Sequence, residues 1–242
     1  MDHCHPALTF MAAGRPGHNL PMTQRLVCKA LLFDLDGVLA DTTALVEATW
    51  EAWAESLGLD AGLATQVHGR PTAEIIGDVA PGLEPTEEAR AIESTQEQQI
   101  PTVSPVEGAL ELLASLPAGS WAVVTSGTRA QAAARLAAIG LRPPAIVITS
   151  EDVAAGKPDP EPYLSAAAGL GVTQDECVVF EDAPAGIESG RTAGMTTIGL
   201  TTTMGPDRLV AADHVVASFR QIRAELDGDR IAVEVDTSPS GG

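Results

Sequence analysis

The stretch "FDLDG", residues 33–37, sets Asp34 and Asp36 two positions apart, directly after the apolar run Ala30 to Phe33. Carboxylates that close repel, and a plain turn needs only one of them. A strand followed by an Asp-Gly turn at Asp36–Gly37 is the bland account of this stretch. Three other places bear on the choice. "VVTSG" (123–127) leaves Ser126 and Gly127 just beyond an apolar run, Lys157 lies in "AAGKPDP" (154–160), and "CVVFED" (177–182) ends in Glu181–Asp182. Open parallel sheets bind ligands beyond the carboxyl ends of their strands. On such a sheet these residues share one rim. A carboxylate cluster at neutral pH needs a cation, and oxygen donors without His or Cys select a hard ion, Mg²⁺ foremost. A hydroxyl, a lysine and the N–H groups at a helix start suit a phosphate. A phosphate held against Asp34 would expose phosphorus to that carboxylate as nucleophile. Asp36 could then protonate the leaving oxygen and later deprotonate an attacking water. Two acids are needed for two different tasks.

The elements that must place these residues follow from the apolar pattern. From residue 104 onward, strands and helices alternate. "ALELLASL" (109–116) has helical spacing, and "WAVVTS" (121–126) reads as a buried strand. Thr128 and Gln131 form a capping box opening a helix that Gly140 closes. "AIVIT" (145–149) is a strand, and Asp159 with Pro160 starts the next helix. "CVVFE" (177–181) is a strand, Pro184 opens a helix that Gly194 ends, and "TTIGL" (196–200) and "HVVAS" (214–218) complete the series. Short continuous apolar runs separated by helices predict a parallel sheet covered on both faces.

Residues 41–103 break this alternation. They carry helical patterns, "TTALVEATWEAWAESLG" and a stretch around 86–99, without a convincing strand. The expected organisation is an α/β core over 25–40 and 104–226, interrupted by a small helical cap over 41–103. Residues 1–24 read as a flexible extension, in which His3-Cys4-His5 has no partner cluster. Residues 227–242 read as a polar tail, within which "IAVEV" (231–235) offers an edge strand.

The 242-residue chain is 45% hydrophobic but only 3% aromatic, so its core must be built from small and aliphatic side chains. Its formal charge of −19 and its two lysines, Lys29 and Lys157, argue against nucleic acid and anionic membranes as partners. Such a field also repels small anions unless a local cation offsets it. The three cysteines are odd in number and far apart, which fits a reducing interior. No apolar run approaches the roughly 20 residues needed to span a bilayer, and a cytoplasmic location is expected. A monomer is the default expectation.

"DLDGVLADT", "VVTSGT", "GKPDPEPY" and "FEDAPAGIESG" resemble, in order and spacing, the four motifs of the haloacid dehalogenase superfamily. The likeness spans about residues 27–220, and its wording is nearest the sugar-phosphatase and glycerol-phosphatase branch. The resemblance implies a Rossmann-like α/β core with an inserted helical cap that selects the leaving group. It also implies a Mg²⁺-dependent phosphatase acting on a small phosphorylated sugar or polyol through an aspartyl-phosphate. Asp34 would be the nucleophile and Asp36 the acid/base. Ser126, Gly127 and Lys157 would hold phosphate. The metal ligands would be Asp34, the Asp36 carbonyl and Asp182, with Glu181 assisting. In the cap, "QVHGRPTAEII" (66–76) resembles the substrate-facing loop, which makes His68, Gly69 and Arg70 candidate substrate contacts.

Two other functions stay in view. A β-phosphoglucomutase-like mutase shares all four motifs but carries His, Lys and Arg in the cap, where this chain has Val46, His68 and Thr72. A non-catalytic phosphosugar-binding protein would have little chemical use for Asp36. Founding dehalogenases lack the second aspartate, and phosphonate hydrolases of the superfamily need a cap lysine that this chain does not have.

Overall fold

The structure, a computed structural model, describes residues 23–60, 72–99 and 103–238. Its centre is a six-stranded parallel sheet made by β2 (Ala30–Phe33), β5 (Trp121–Val124), β6 (Val147–Ile148), β7 (Cys177–Glu181), β8 (Thr196–Leu200) and β9 (His214–Val216). The strand order is β6-β5-β2-β7-β8-β9. From β2 the chain moves outward through β5 to β6, then returns to the other side of β2 with β7. The order therefore reverses beside β2, and a crevice opens there between connections that leave in opposite directions.

Side chains alternate across each strand. Leu31 and Phe33 of β2 join Val123, Val178 and Phe180 on one face, while Ala30 and Leu32 join Ala122, Val124 and Val179 on the other. Phe33 stacks on Phe180, ring centroids 4.8 Å apart, in the first of these layers. Helix α4 (Ala109–Ser115) and helix α5 (Arg129–Ala138) cover that face. Helix α6 (Glu161–Leu170) covers the other with Tyr163, Ala166 and Ala167. Each fully buried Leu or Phe contributes about 1.5–3 kcal/mol, so strands buried on both sides hold the sheet rigid beneath its rim. Helix α7 (Pro184–Thr192) follows β7 directly.

Local signals set several helix ends. The Thr128–Gln131 capping box is formed at the start of α5. Asp159 Oδ1 accepts the Glu161 N–H at 2.9 Å ahead of α6.

Between β2 and β5 the chain runs out through β3 (Ala40–Asp41) and back through β4 (Ser104–Pro105), which pair antiparallel. Between these short strands lie α1 (Thr43–Ser56), α2 (Thr72–Val79) and α3 (Pro85–Gln99). Trp50, Trp53, Ile75, Ile76, Ala89 and Ile92 form their separate apolar core. Residues 72–76, read from sequence as part of a loop, are the first turns of α2.

The segment from 227 onward departs from the expected tail. β10 (Ile222–Asp227) and β11 (Arg230–Asp236) form a hairpin, and β1 (Thr23–Cys28) pairs with β11 in a second sheet of order β1-β11-β10. The "IAVEV" strand is thus the middle of an antiparallel sheet, not an edge of the parallel one. Its alternating Ile231, Val233 and Val235 are buried in the main core, which supplies the apolar burial that holds a three-stranded sheet. Thr23 pairs with Asp236, so order begins before the expected end of the N-terminal extension. No helix among the described residues is long and apolar enough to cross a membrane.

Candidate active site

The carboxyl ends of β2, β5 and β7, three adjacent strands, carry most of the chemistry. Asp34 follows β2 and donates its backbone N–H to Phe180 O of β7 at 3.0 Å. Glu181 ends β7, and Asp182 follows it. One oxygen from each of Asp34, Glu181 and Asp182 lies within 4.8 Å of the others.

Lys157 enters this cluster fully buried, with 1% exposure. Its Nζ donates to Asp34 Oδ1 at 2.5 Å, Glu181 Oε1 at 2.7 Å and Val124 O at 3.0 Å. All three ammonium protons are therefore engaged. The Tyr163 hydroxyl donates to Glu181 Oε1 at 2.6 Å, and its ring centroid is 5.2 Å from Nζ. Thr203 Oγ1 donates to Asp182 Oδ2 at 2.6 Å.

Two motif glycines make room for the acids. Gly37 has φ +77°, a left-handed turn conformation that glycine adopts without strain. A Cβ there would lie 2.0 Å from Asp182 Oδ2, and one on Gly186 would lie 1.8 Å from Glu181 Oε1.

Burial shapes the electrostatics. It holds the Asp34 carboxyl well above the usual range; Lys157 opposes the rise, while Glu181, Asp182 and Asp36 add to it. Asp182 is pushed up to about 8, chiefly by burial and then by Glu181. Burial alone would lower Lys157, but Asp34 and Glu181 outweigh it and raise the ammonium's pKa. Ionising all three buried carboxyl groups against one ammonium would leave an excess of negative charge in a dry site. The all-oxygen donor set and that excess both fit a hard divalent cation.

Asp36 stands beside this cluster with both carboxylate oxygens held. Thr42 Oγ1 donates to Oδ1 at 2.8 Å, and Arg135 Nη1 donates to Oδ2 at 2.6 Å. Ser126 and Gly127 lie half-buried in the turn between β5 and α5, where the Gly127 N–H donates to Thr125 Oγ1 at 3.0 Å. His68, Gly69 and Arg70 lie outside the described residues.

The sequence profile described as "Haloacid dehalogenase-like hydrolase" matches residues 31–200, more than half of the chain. The chain belongs to this family. Among curated relatives of this haloacid dehalogenase-like hydrolase, hexitol phosphatase A of Escherichia coli is 36% identical over 201 residues, covering 81% of this chain and 93% of the relative. Glycerol-1-phosphate phosphohydrolase 2 of Saccharomyces cerevisiae is 37% identical over 213 residues, covering 82% and 85%. Among solved structures, a β-phosphoglucomutase from Clostridium difficile superposes with TM-score 0.71 at 24% identity over 81% of this chain and 93% of that one. At that identity the likeness speaks for the fold.

Three residues of the hydrolase site carry no signal in the motif reading. Tyr163 lies within "GKPDPEPY" yet reads as helix core until its hydroxyl is seen on Glu181. Gln96 sits on α3, whose sequence is mostly charged and polar. Arg135 does have a sequence trace: Gln131 and Arg135 lie four positions apart on the buried face of α5, beside Ala132 and Leu136. A charged residue on a buried stripe needs a partner, but the pattern does not say that the partner is Asp36.

Proposed function

We propose that the protein is a cytoplasmic, Mg²⁺-dependent phosphatase that hydrolyses small sugar or polyol phosphates through an aspartyl-phosphate on Asp34. The observation that carries the reading is the buried Asp34–Lys157–Glu181–Asp182 cluster at the switch point beside β2. The printed activities of hexitol phosphatase A and glycerol-1-phosphate phosphohydrolase 2 support the substrate class. Cys28 and Cys177 are free and buried, in keeping with a reducing compartment.

Asp34, Glu181 and Asp182 would hold the cation, together with the Asp36 carbonyl. Bound Mg²⁺ supplies the positive charge that lets the carboxylates ionise and an anionic phosphate enter. Ser126, the Gly127 backbone and Lys157 bind the phosphoryl oxygens, one of which replaces a protein acceptor of the Lys157 ammonium. An Asp34 oxygen forms a bond to phosphorus as the bond to the leaving oxygen breaks, and Asp36 gives that oxygen its proton. Water then attacks the same phosphorus and loses a proton to Asp36. The Asp34–phosphorus bond breaks, and inorganic phosphate leaves. Positioning and charge stabilisation supply most of the acceleration in such transfers. His68, Gly69 and Arg70 are assigned to the alcohol part of the substrate.

The test is phosphate release from a panel of hexose, pentose, hexitol and glycerol phosphates, with Mg²⁺ and with EDTA. Metal-dependent release greatest on sugars or polyols is the expected result. A phosphoryl group that returns to a sugar instead of reaching water would replace the reading with a mutase. Binding without any turnover would replace it with a binding protein.

A further inference from the structure

Arg135 is a buried cation on α5, and its surroundings are unusual for a structural one. Its side chain is 5% exposed, and one end of its fork, Nη1, meets Asp36 Oδ2 at 2.6 Å. The other end, Nη2, donates to Gln96 Oε1 on α3 at 2.9 Å. Gln96 is itself buried, and the same Oε1 accepts from Gln131 Nε2 at 3.5 Å. The guanidinium also lies against the Ser126–Gly127 turn, since a Cβ on Gly127 would be 3.2 Å from Nη1. Yet its buried Nε has no hydrogen-bond partner among the described residues. A guanidinium placed only for packing should satisfy all of its donors, because each buried orphan costs stability. Here the fork is aimed at a carboxylate at the expense of a third donor.

We propose that Arg135 is a positioning residue for Asp36, and that Gln96, reaching it from the helical insertion, holds the guanidinium where it can do so. This rests on the phosphatase reading, in which Asp36 passes a proton to the leaving oxygen. Thr42, immediately ahead of α1, holds the other Asp36 oxygen. Asp36 is therefore oriented from two sides by groups that depend on the insertion's seat against the core. A charge-assisted hydrogen bond from a planar fork restricts a carboxylate more tightly than a neutral donor does. A small misplacement of a proton donor is enough to slow transfer strongly.

The test compares two substrates in single-turnover experiments on the Mg²⁺-loaded protein. One is the best alkyl phosphate of the panel, whose alkoxide must be protonated. The other is p-nitrophenyl phosphate, whose phenolate leaves without a proton. Arg135→Met is expected to slow release of the alcohol about 100-fold with the half-saturating enzyme concentration little changed, and to slow release of p-nitrophenolate less than about 10-fold. Arg135→Lys is expected to restore part of the loss. Gln96→Leu is expected to slow alcohol release about 3- to 10-fold, and the double variant to be no slower than Arg135→Met alone. If Arg135→Met does not fold, Arg135→Lys and Gln96→Leu carry the same comparison between substrates. Equal losses on both substrates, unchanged rates, or additive losses in the double variant would overturn the proposal while leaving the phosphatase reading intact. A wild-type protein that releases phosphate from nothing would remove that reading and this proposal together.

Discussion

In the helical insertion, the interior is Trp50, Trp53, Ile75, Ile76, Ala89 and Ile92, and its edge-to-face tryptophan pair sits 5.4 Å apart. At the sheet rim, equally dry positions hold Asp34, Lys157, Glu181 and Asp182. The insertion's own core is held chiefly by apolar burial. The rim spends stability on charges that are tolerable only because each has a defined partner. A packed apolar cluster tolerates repacking, whereas a charge cluster tolerates no missing member. The rim is therefore where substitution should be least forgiven, and the insertion is where it should be absorbed locally.

The sharpest way to break that contrast is at the nucleophile. Asp34→Asn and Asp182→Asn are each expected to abolish phosphate release while leaving far-UV circular dichroism unchanged. Wild-type turnover by Asp34→Asn would end the mechanism.

Lys157→Met should cost both activity and stability. Removing one partner of a buried ion pair typically costs about 3–5 kcal/mol, to be read in urea unfolding of the metal-free protein. A smaller loss would mean that the carboxylates simply take up protons.

Trp53→Ala should cost the insertion about 3–5 kcal/mol through its lost packing and its lost bond to Glu88 Oε2. Hydrogen exchange should then quicken in α1, α2 and α3 while β2, β5 and β7 keep their protection. Equal loss of protection in the sheet would show that the two regions stand or fall together.

A further expectation is one of pH. Asp182 has a folded-state pKa near 8, above that of an unfolded aspartate, about 3.9. Between these values the folded protein binds more protons than the unfolded chain, so stability falls as pH rises. The Tm of the metal-free protein should drop from pH 5 to pH 8, and Mg²⁺ should raise it more at pH 8. A Mg²⁺ effect that does not grow with pH would separate the ion from these carboxylates.

Much of the site is legible along the chain because its parts are local. Asp34 follows a four-residue apolar strand, Thr128 caps α5 within one turn, and Glu181–Asp182 directly ends β7. Each of these depends on neighbours a few residues away. What escaped depends on distant ones. β1 and β11 meet across some 200 residues, as Cys28 and Ile231 do, and a polar C-terminus alone does not announce a partner strand. α2, only eight residues long, has too short an apolar run to show a helical period.

The chain by itself determined the alternation of strands and helices in the α/β core and the identities of the acids and the lysine at the strand ends, because periodicity, caps and motif spacing act over a few residues. Only the tertiary structure decided that Arg135 answers Asp36 across 99 positions and Gln96 across 39. A buried cation takes the partner that the packed sheet and helices bring within reach, and that proximity is written in no local stretch of the sequence.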